Sequence, residues 1–373
     1  MRIAYFTTAQ EPKEFDKFIK DRKIQANTSN QVFHSSLVEC LTNNNELLVF
    51  SCRKDPTQDN ESKVNKTEDL TWHYLATKKS SFSNFFNQYT EVKAVKTYTD
   101  IAFVDTTNLR CMIYARKFCK TKRIPLVGII TDNPSNITGQ NPLVSKILSF
   151  FIKKCDGFIT LTEPLNTLFN KKDKPTLLIK GITKKPAKIA SKTPVDAPYF
   201  FYAGTLLKKY GIYDLVDAYN SLKNSSIKLV IAGHHEEEGF KDYIKDNPNI
   251  IYIGNVSNND ILSYENGALA NINPRPFMQE IDDYSIPSKV IEYASKDALV
   301  ISGLSTSLKD DFKETILWID EKKTLAKRLQ EAIKMGKATK ATTIKEMNTI
   351  CEKRFSINHN SKKIAKFLPT IVK

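Results

Sequence analysis

Short apolar runs, each stopping at a polar residue and each separated from the next by a helix-length segment, recur along the whole chain. The first set comprises "RIAYFT" (Arg2 to Thr7), "ELLVFSC", "IAFVD", "PLVGIITD" and "GFITLT". A second set comprises "YFFYAG", "IKLVIAG", "IIYIGN", "ALANIN" and "ALVISG". Runs this short and this uniformly apolar suit strands buried on both faces, which is the condition of a parallel sheet covered by helices. Their alternation with helices predicts an α/β protein with doubly wound parallel sheets, whose functional groups gather at the strands' carboxyl ends.

Between the two sets stands "TKKPAKIASKTPVDAP", rich in Lys, Pro and Ala and without apolar periodicity, which reads as a linker. We therefore expect an N-terminal unit over residues 1–185, a linker at 186–198 and a C-terminal unit over 199–352, the two facing each other across a deep cleft. The final helix, about 353–373, is expected to pack back on the first unit. A chain of 373 residues, 41% hydrophobic, has enough material for two cores.

Within the first unit a long loop is expected through "EPKEFDKFIKDRKIQANTSN", followed by a helix opened by Asn30 and Gln31. In the second unit "YGIYDLVDAYNSL" puts Ile212, Leu215, Val216 and Tyr219 on one helical face, and "KTLAKRLQEAIKMGKATK" reads as another helix. "NPLVSKILSFFIKKCDG" gathers Leu143, Val144, Ile147, Leu148, Phe151 and Ile152 on a broad apolar face flanked by Lys146, Lys153 and Lys154. That pattern serves a helix lying in a membrane interface and equally a helix packed on the sheet with basic ends.

The net charge of +15 is lopsided. Up to Lys192, 31 Lys and Arg stand against 18 Asp and Glu, and after it 25 stand against 23. An anionic partner for the first unit follows naturally, a phospholipid surface or a phosphate-bearing substrate; a Lys-rich solvated surface is the bland alternative. Nucleic acid is disfavoured, because the basic half lacks interleaved aromatic or recognition-helix patterns. Six scattered Cys with no C-x-x-C pair indicate neither a zinc site nor a disulfide framework. No apolar signal core and no membrane-length apolar run is present, so a cytoplasmic setting is expected, with peripheral attachment to the inner face of the cell membrane.

The richest stretch is "INPRPFMQEIDDYSIPSKVIEYASKDALVIS". A strand ends at Asn273-Pro274-Arg275, an acidic loop follows, and Pro287-Ser288 starts a helix that puts Ser288, Lys289 and Glu292 close together on its first turn. Such a strand–loop–helix–strand unit suits a phosphate-bearing ligand: Lys289 offers a point charge and Glu292 a carboxylate that could accept from two vicinal hydroxyls. Arg275 would add a bidentate donor, or else pair with Glu280, Asp282 or Asp283. Gly204, followed by Lys208 and Lys209, forms a second phosphate-cradle candidate. His34, His234 and His235 sit in no metal-ligand or nucleophile–base spacing.

In order and spacing, "YFFYAGTLLKKYGIYDLVDAY", "IKLVIAG", "IIYIGNVSNNDILSYENGA", "INPRP" and "YSIPSKVIEYAS" resemble the donor half of the GT-B glycosyltransferases, in particular retaining family four (group 1). Asn30-Gln31, "GIITD" and "DGFITLTEPLN" are similar to the acceptor domain of bacterial members that build capsular and extracellular polysaccharides. The resemblance implies two Rossmann-like domains and a hexosyltransferase. Its donor would be a UDP- or GDP-linked sugar and its acceptor a glycan or lipid-pyrophosphate-linked chain; with no paired Asp-x-Asp to hold a divalent ion, and with cationic side chains and helix N-termini to stabilise the leaving diphosphate, no metal or other cofactor is expected. It implies that Glu292 holds the donor ribose, that Ser288 and Lys289 meet the diphosphate, that Asn255 and Val256 contact the base and that Gly204 lies against the phosphates. Lys208, Lys209, Arg275 and Lys289 would neutralise the leaving group, while Asp132, Asn30 and Gln31 approach the sugar or acceptor. Two departures stand out: Tyr284 occupies the place of the first acid in the family's E-x7-E motif, and Thr205 and Tyr210 replace its phosphate-binding Arg and Lys. They keep open a non-catalytic partner subunit; a nucleotide-sugar epimerase or hydrolase is the other alternative.

Overall fold

The computed structural model describes residues 1–22, 28–53, 59–77, 81–137, 139–184, 195–223, 226–234, 236–256, 258–278 and 282–372. Most of the expected linker, together with His235 and Glu280, lies outside the described residues. The chain forms two compact units. The first comprises Met1–Ile182, Asp283–Ser285 and Ile357–Lys373; the second comprises Thr183–Asp282 and Ile286–Ser356.

The first unit is an eight-stranded sheet: β1 (Arg2–Thr7), β2 (Glu46–Ser51), β3 (Lys63–Lys66), β4 (Leu70–Tyr74), β5 (Ile101–Asp105), β6 (Leu126–Ile130), β7 (Gly157–Thr160) and β8 (Thr176–Leu178). Its order is β3-β4-β2-β1-β5-β6-β7-β8, parallel throughout except for the antiparallel edge strand β3. The central strands are buried along their length, as their apolar runs require. One face packs on α3 (Ser81–Ala94), α4 (Leu109–Lys122), α5 (Pro142–Ile152) and α6 (Glu163–Phe169), through side chains such as Tyr114, Phe118, Leu148 and Leu165. The other packs on α2 (Thr28–Thr42) and the last helix, α14 (Ile357–Ile371), through Leu37, Leu41, Ile364 and Phe367.

The second unit has six parallel strands: β9 (Tyr199–Thr205), β10 (Lys228–His234), β11 (Ile250–Gly254), β12 (Ala270–Asn273), β13 (Leu299–Gly303) and β14 (Leu317–Ile319). They are ordered β11-β10-β9-β12-β13-β14, so the order reverses between β9 and β12. Its helices are α7 (Ile212–Asn220), α8 (Phe240–Ile244), α9 (Asn258–Gly267), α10 (Ser288–Ala294), α11 (Thr306–Phe312), α12 (Leu325–Lys334) and α13 (Lys337–Arg354). On α7 the four buried side chains are Ile212, Leu215, Val216 and Tyr219, the face read from their spacing.

Three local expectations are corrected. The loop after β1 contains a helix, α1 (Pro12–Arg22), started by Pro12 at a position where a missing N–H costs nothing and anchored by buried Phe15. The single helix expected over "KTLAKRLQEAIKMGKATK" is two, because Gly336 takes an extended conformation and begins α13 afresh. The β3–β4 edge pair escaped notice because its strands are mostly half-exposed and carry no apolar run.

Candidate functional site

In the second unit the loop Asn273-Pro274-Arg275 leaves β12 beside the point where strand order reverses, the position at which parallel sheets open a crevice for ligands. Two glycines hold this loop. A Cβ on Gly211, whose φ of +78° already favours glycine, would lie 2.3 Å from the Pro274 carbonyl oxygen, and one on Gly303 would lie 2.0 Å from that of Arg275. The backbone therefore approaches from both sides more closely than any side chain permits. Arg275, 20% exposed, places Nη2 3.7 Å from Asp282 Oδ1, a loose ion pair, while its buried Nε makes no hydrogen bond. Asp282 also accepts from the Met278 N–H at 2.7 Å and so closes the acidic loop on itself.

At the start of α10, Lys289 Nζ stands 3.0 Å from Glu292 Oε2, both side chains rather more than a third exposed. Ser288 is exposed on the same turn. Beneath this pair lies a residue that the sequence did not single out. Glu265 on α9 is fully buried, with its carboxylate 3.9 Å from Lys289 Nζ and 3.5 Å from the Nζ of buried Lys296. Burial, then repulsion from Glu292, push the Glu265 carboxyl up to about 7 against the pull of the two lysines. Burial also opposes the charge on Glu292, yet Lys289 and Lys296 outweigh it and hold that carboxyl below its ordinary value. For Lys289 burial is likewise overridden, by Glu292 first, and its pKa is raised. The result is a fixed ammonium and an ionised carboxylate presented together at a helix start. A signal for Glu265 existed, an acid inside "ILSYENGALA" just before a buried strand, but nothing local names its partners.

The other expected donor-side groups are less free. Lys208 and Lys209 are exposed in a short 3-10 turn; the Lys208 N–H donates to Glu237 Oε1 at 2.9 Å, and Lys209 Nζ lies 5.2 Å from the centroid of the Tyr210 ring. Gly204 is the penultimate residue of β9, half-buried, where a Cβ would meet the Tyr202 hydroxyl at 2.8 Å. Asn255 is exposed after Gly254, which has a φ of +70°, and Val256 is half-buried against a core that includes Phe201 and Val230.

In the first unit Asp132 is half-buried just past β6, and its carboxylate accepts from the Asn133 N–H at 2.8 Å. Gln31 is buried and fully engaged: its amide oxygen accepts from Gln10 N and Arg53 Nη2, and its amide nitrogen donates to the Gln10 carbonyl at 2.7 Å. It ties together the segments leaving β1 and β2. Asn30 Nδ2 lies 3.5 Å from Asp105 Oδ2 at the end of β5. Asp105 also faces His34, whose Nε2 is 3.5 Å away and whose Nδ1 meets the Tyr5 hydroxyl. Burial lowers the His34 pKa despite Asp105, so the ring is neutral at ordinary pH.

Comparison with solved structures agrees with this architecture. The chain matches a structure titled trehalose-6-phosphate from E. coli bound with UDP-2-fluoro glucose with a TM-score of 0.72 at 11% identity, each chain covered over 100%. It matches sucrose-phosphate synthase from Thermosynechococcus elongatus with a TM-score of 0.70 at 14% identity, over 99% of this chain and 98% of that one. Anabaena HepE in complex with UDP and glucose gives a TM-score of 0.66 at 12% identity, over 99% of this chain and 100% of that one. Likeness at such identities establishes the fold: α/β, with two parallel-sheet units, as in GT-B glycosyltransferases. Residues 183–346 match the family model described as Glycosyl transferases group 1, which makes that segment a glycosyltransferase domain. No curated protein matches the chain.

Proposed function

We propose that this protein moves a hexosyl group from a nucleotide-sugar donor, with retention of configuration and without a metal, onto a glycan or lipid-pyrophosphate-linked acceptor in bacterial surface polysaccharide or glycoconjugate synthesis. The observation that carries this reading is the half-exposed Lys289–Glu292 pair at the start of α10, inside the segment that matches group 1. Breaking the bond between the anomeric carbon and the diphosphate leaves negative charge on the departing oxygens, which a preplaced ammonium stabilises without reorganisation. Lys289, with Arg275 and the exposed Lys208 and Lys209, supplies that charge, and Ser288 offers a hydroxyl to the same phosphates. Glu292 accepts from the ribose hydroxyls, while Gly204, Asn255 and Val256 border the donor. Asp132, Asn30 and Gln31 belong to the acceptor side. The acceptor hydroxyl bonds to the anomeric carbon on the face the diphosphate leaves, and its proton goes to the departing phosphate oxygen. UDP-containing titles among the structural neighbours support a UDP-linked sugar. The protein works in the cytoplasm, attached to the anionic inner face of the cell membrane.

The test is a thermal-shift screen of nucleotides and nucleotide sugars, followed by product analysis with acceptor. A ligand that binds the native state stabilises it by about 2.7 kcal/mol at a hundredfold excess over Kd and so raises the melting temperature. Lys289→Gln is expected to remove most of that shift and to slow transfer by about 10²-fold or more. Free sugar or an epimer formed without acceptor would point to a hydrolase or epimerase, and chelator-sensitive turnover would overturn the metal-free step. Tyr284 in place of the first acid is the one observation that favours a non-catalytic partner subunit; absence of any nucleotide-induced shift would decide for it.

A further inference from the structure

Helix α5 exposes more apolar surface than its packing needs. Its N-terminus is built in the ordinary way, with Pro142 in the first turn and the Asn141 side chain accepting from the Leu143 N–H at 2.8 Å. Its inner face is complete: Ser145, Leu148 and Ile152 are buried, and Val144 and Phe151 pack half-buried against the first unit's core. Leu143 and Phe150 remain outside, 65% and 58% exposed. They stand two turns apart on one stripe with Lys146 between them, and polar residues there would cost the fold nothing.

The surroundings are basic. Lys153 and Lys154 are exposed just beyond the helix, with Lys154 Nζ 5.4 Å from the centroid of the Phe150 ring. Neighbouring α4 exposes Lys117 and Lys120 and sets the Arg116 guanidinium 5.0 Å from the Phe151 ring centroid. Beyond it α3 exposes Phe86, at 51%. The three helices carry one acid, Glu91, and its carboxylate accepts from the Ala76 N–H at 3.2 Å. Asp156, just past Lys154, accepts from the Leu126 N–H at 2.8 Å.

We propose that this α3–α4–α5 face docks on an anionic lipid bilayer, with Leu143 and Phe150 entering the headgroup layer and the lysines around them meeting lipid phosphates. Apolar tips ringed by flexible ammonium groups suit that boundary, because the rings and methyls leave water while the lysine stems reach back to the charged plane. A second copy of the same face would instead bring lysine against lysine. Among the described residues no helix is long and apolar enough to cross a membrane, so the contact lies along the surface. This deepens the membrane partner already proposed and is independent of donor chemistry, since binding is read without nucleotide.

The experiment sediments the full chain with vesicles of phosphatidylcholine alone, or with about 30% phosphatidylglycerol added. Binding is expected only on the anionic vesicles and is expected to weaken with salt. The double variant Leu143→Ser with Phe150→Ser is expected to lower it by about tenfold with an unchanged melting curve, and Lys153→Gln with Lys154→Gln to weaken it and to flatten its dependence on salt. Should the double variant melt early, Phe86→Ser is the second variant and should also weaken binding. Tyr243→Ser, at an exposed site of the second unit, is the control that should bind as wild type. Equal binding to neutral vesicles, no binding to either, full retention in the surface variants, or a dimer abolished by them would overturn the proposal. A donor-induced thermal shift that survives such a result would leave the transferase reading intact.

Discussion

Among single residues, Glu265 matters most to the candidate site because it is a buried carboxyl set beneath the half-exposed Lys289–Glu292 pair. A folded-state pKa of about 7 against an ordinary 4.5 means that the native protein holds this proton more tightly than the unfolded chain does. The stability it contributes is fully present below about 4.5 and is lost as pH rises through about 7. In Glu265→Gln that dependence is absent. The melting temperature of the wild type relative to the variant should therefore fall as pH is raised across this window, by the equivalent of about 3 kcal/mol in a differential scanning experiment. A flat difference would mean that Lys289 and Lys296 keep the carboxylate ionised throughout. The residues legible in the sequence, Ser288, Lys289 and Glu292, share one helical turn, where spacing alone sets proximity. Glu265 and Lys296 come from different segments and meet only through the fold, which is why no local pattern announced them. Of the acids open to Arg275 in the sequence, the fold sets Asp282 beside it, while Glu280 lies outside the described residues.

The elements around the site were read from simple signals: apolar runs gave five of the eight strands in the first sheet and five of the six in the second, and spacing gave the buried face of α7. What the sequence hid was contact between backbones. Gly303 ends a run, "ALVISG", in which the last residue looked like ordinary strand termination. In the fold its missing side chain lets β13 lie against the Arg275 carbonyl. Gly303→Ala must push that loop away, and urea unfolding should register a loss of about 1–3 kcal/mol, with weaker nucleotide binding because Arg275 moves. Unchanged stability would mean the loop yields freely. The helix α1 and the edge strand β3 were missed for a different reason: both are largely charged or polar outside, so periodicity had little apolar contrast to work with.

Across the whole molecule, the charge imbalance and the path of the chain both single out the first unit. Its described core includes Ile364, Phe367 and Leu368 from α14, packed with Leu37, Val38 and Leu41 of α2, while Lys363 Nζ reaches the Leu178 carbonyl and Asn360 that of Gly181. A chain truncated after Ser356 keeps every residue of the group 1 segment yet uncovers that face. It should lose several kcal/mol from the first unit, since each large apolar side chain removed from such a core is worth about 2–5 kcal/mol. Two separated transitions on heating, with only the earlier one displaced from its wild-type position, would be the signature; an unaltered melting profile would show that α14 adds nothing.

The return of α14 to the first unit also orders events during synthesis. Residues up to Ile182 leave the ribosome well before the helix that seals them. This unit must wait, with Leu37 and Leu41 uncapped, through translation of the second unit, so a nascent-chain arrest between Ile182 and Ile357 should leave it sensitive to protease and drawn to chaperones, and emergence of α14 should end both.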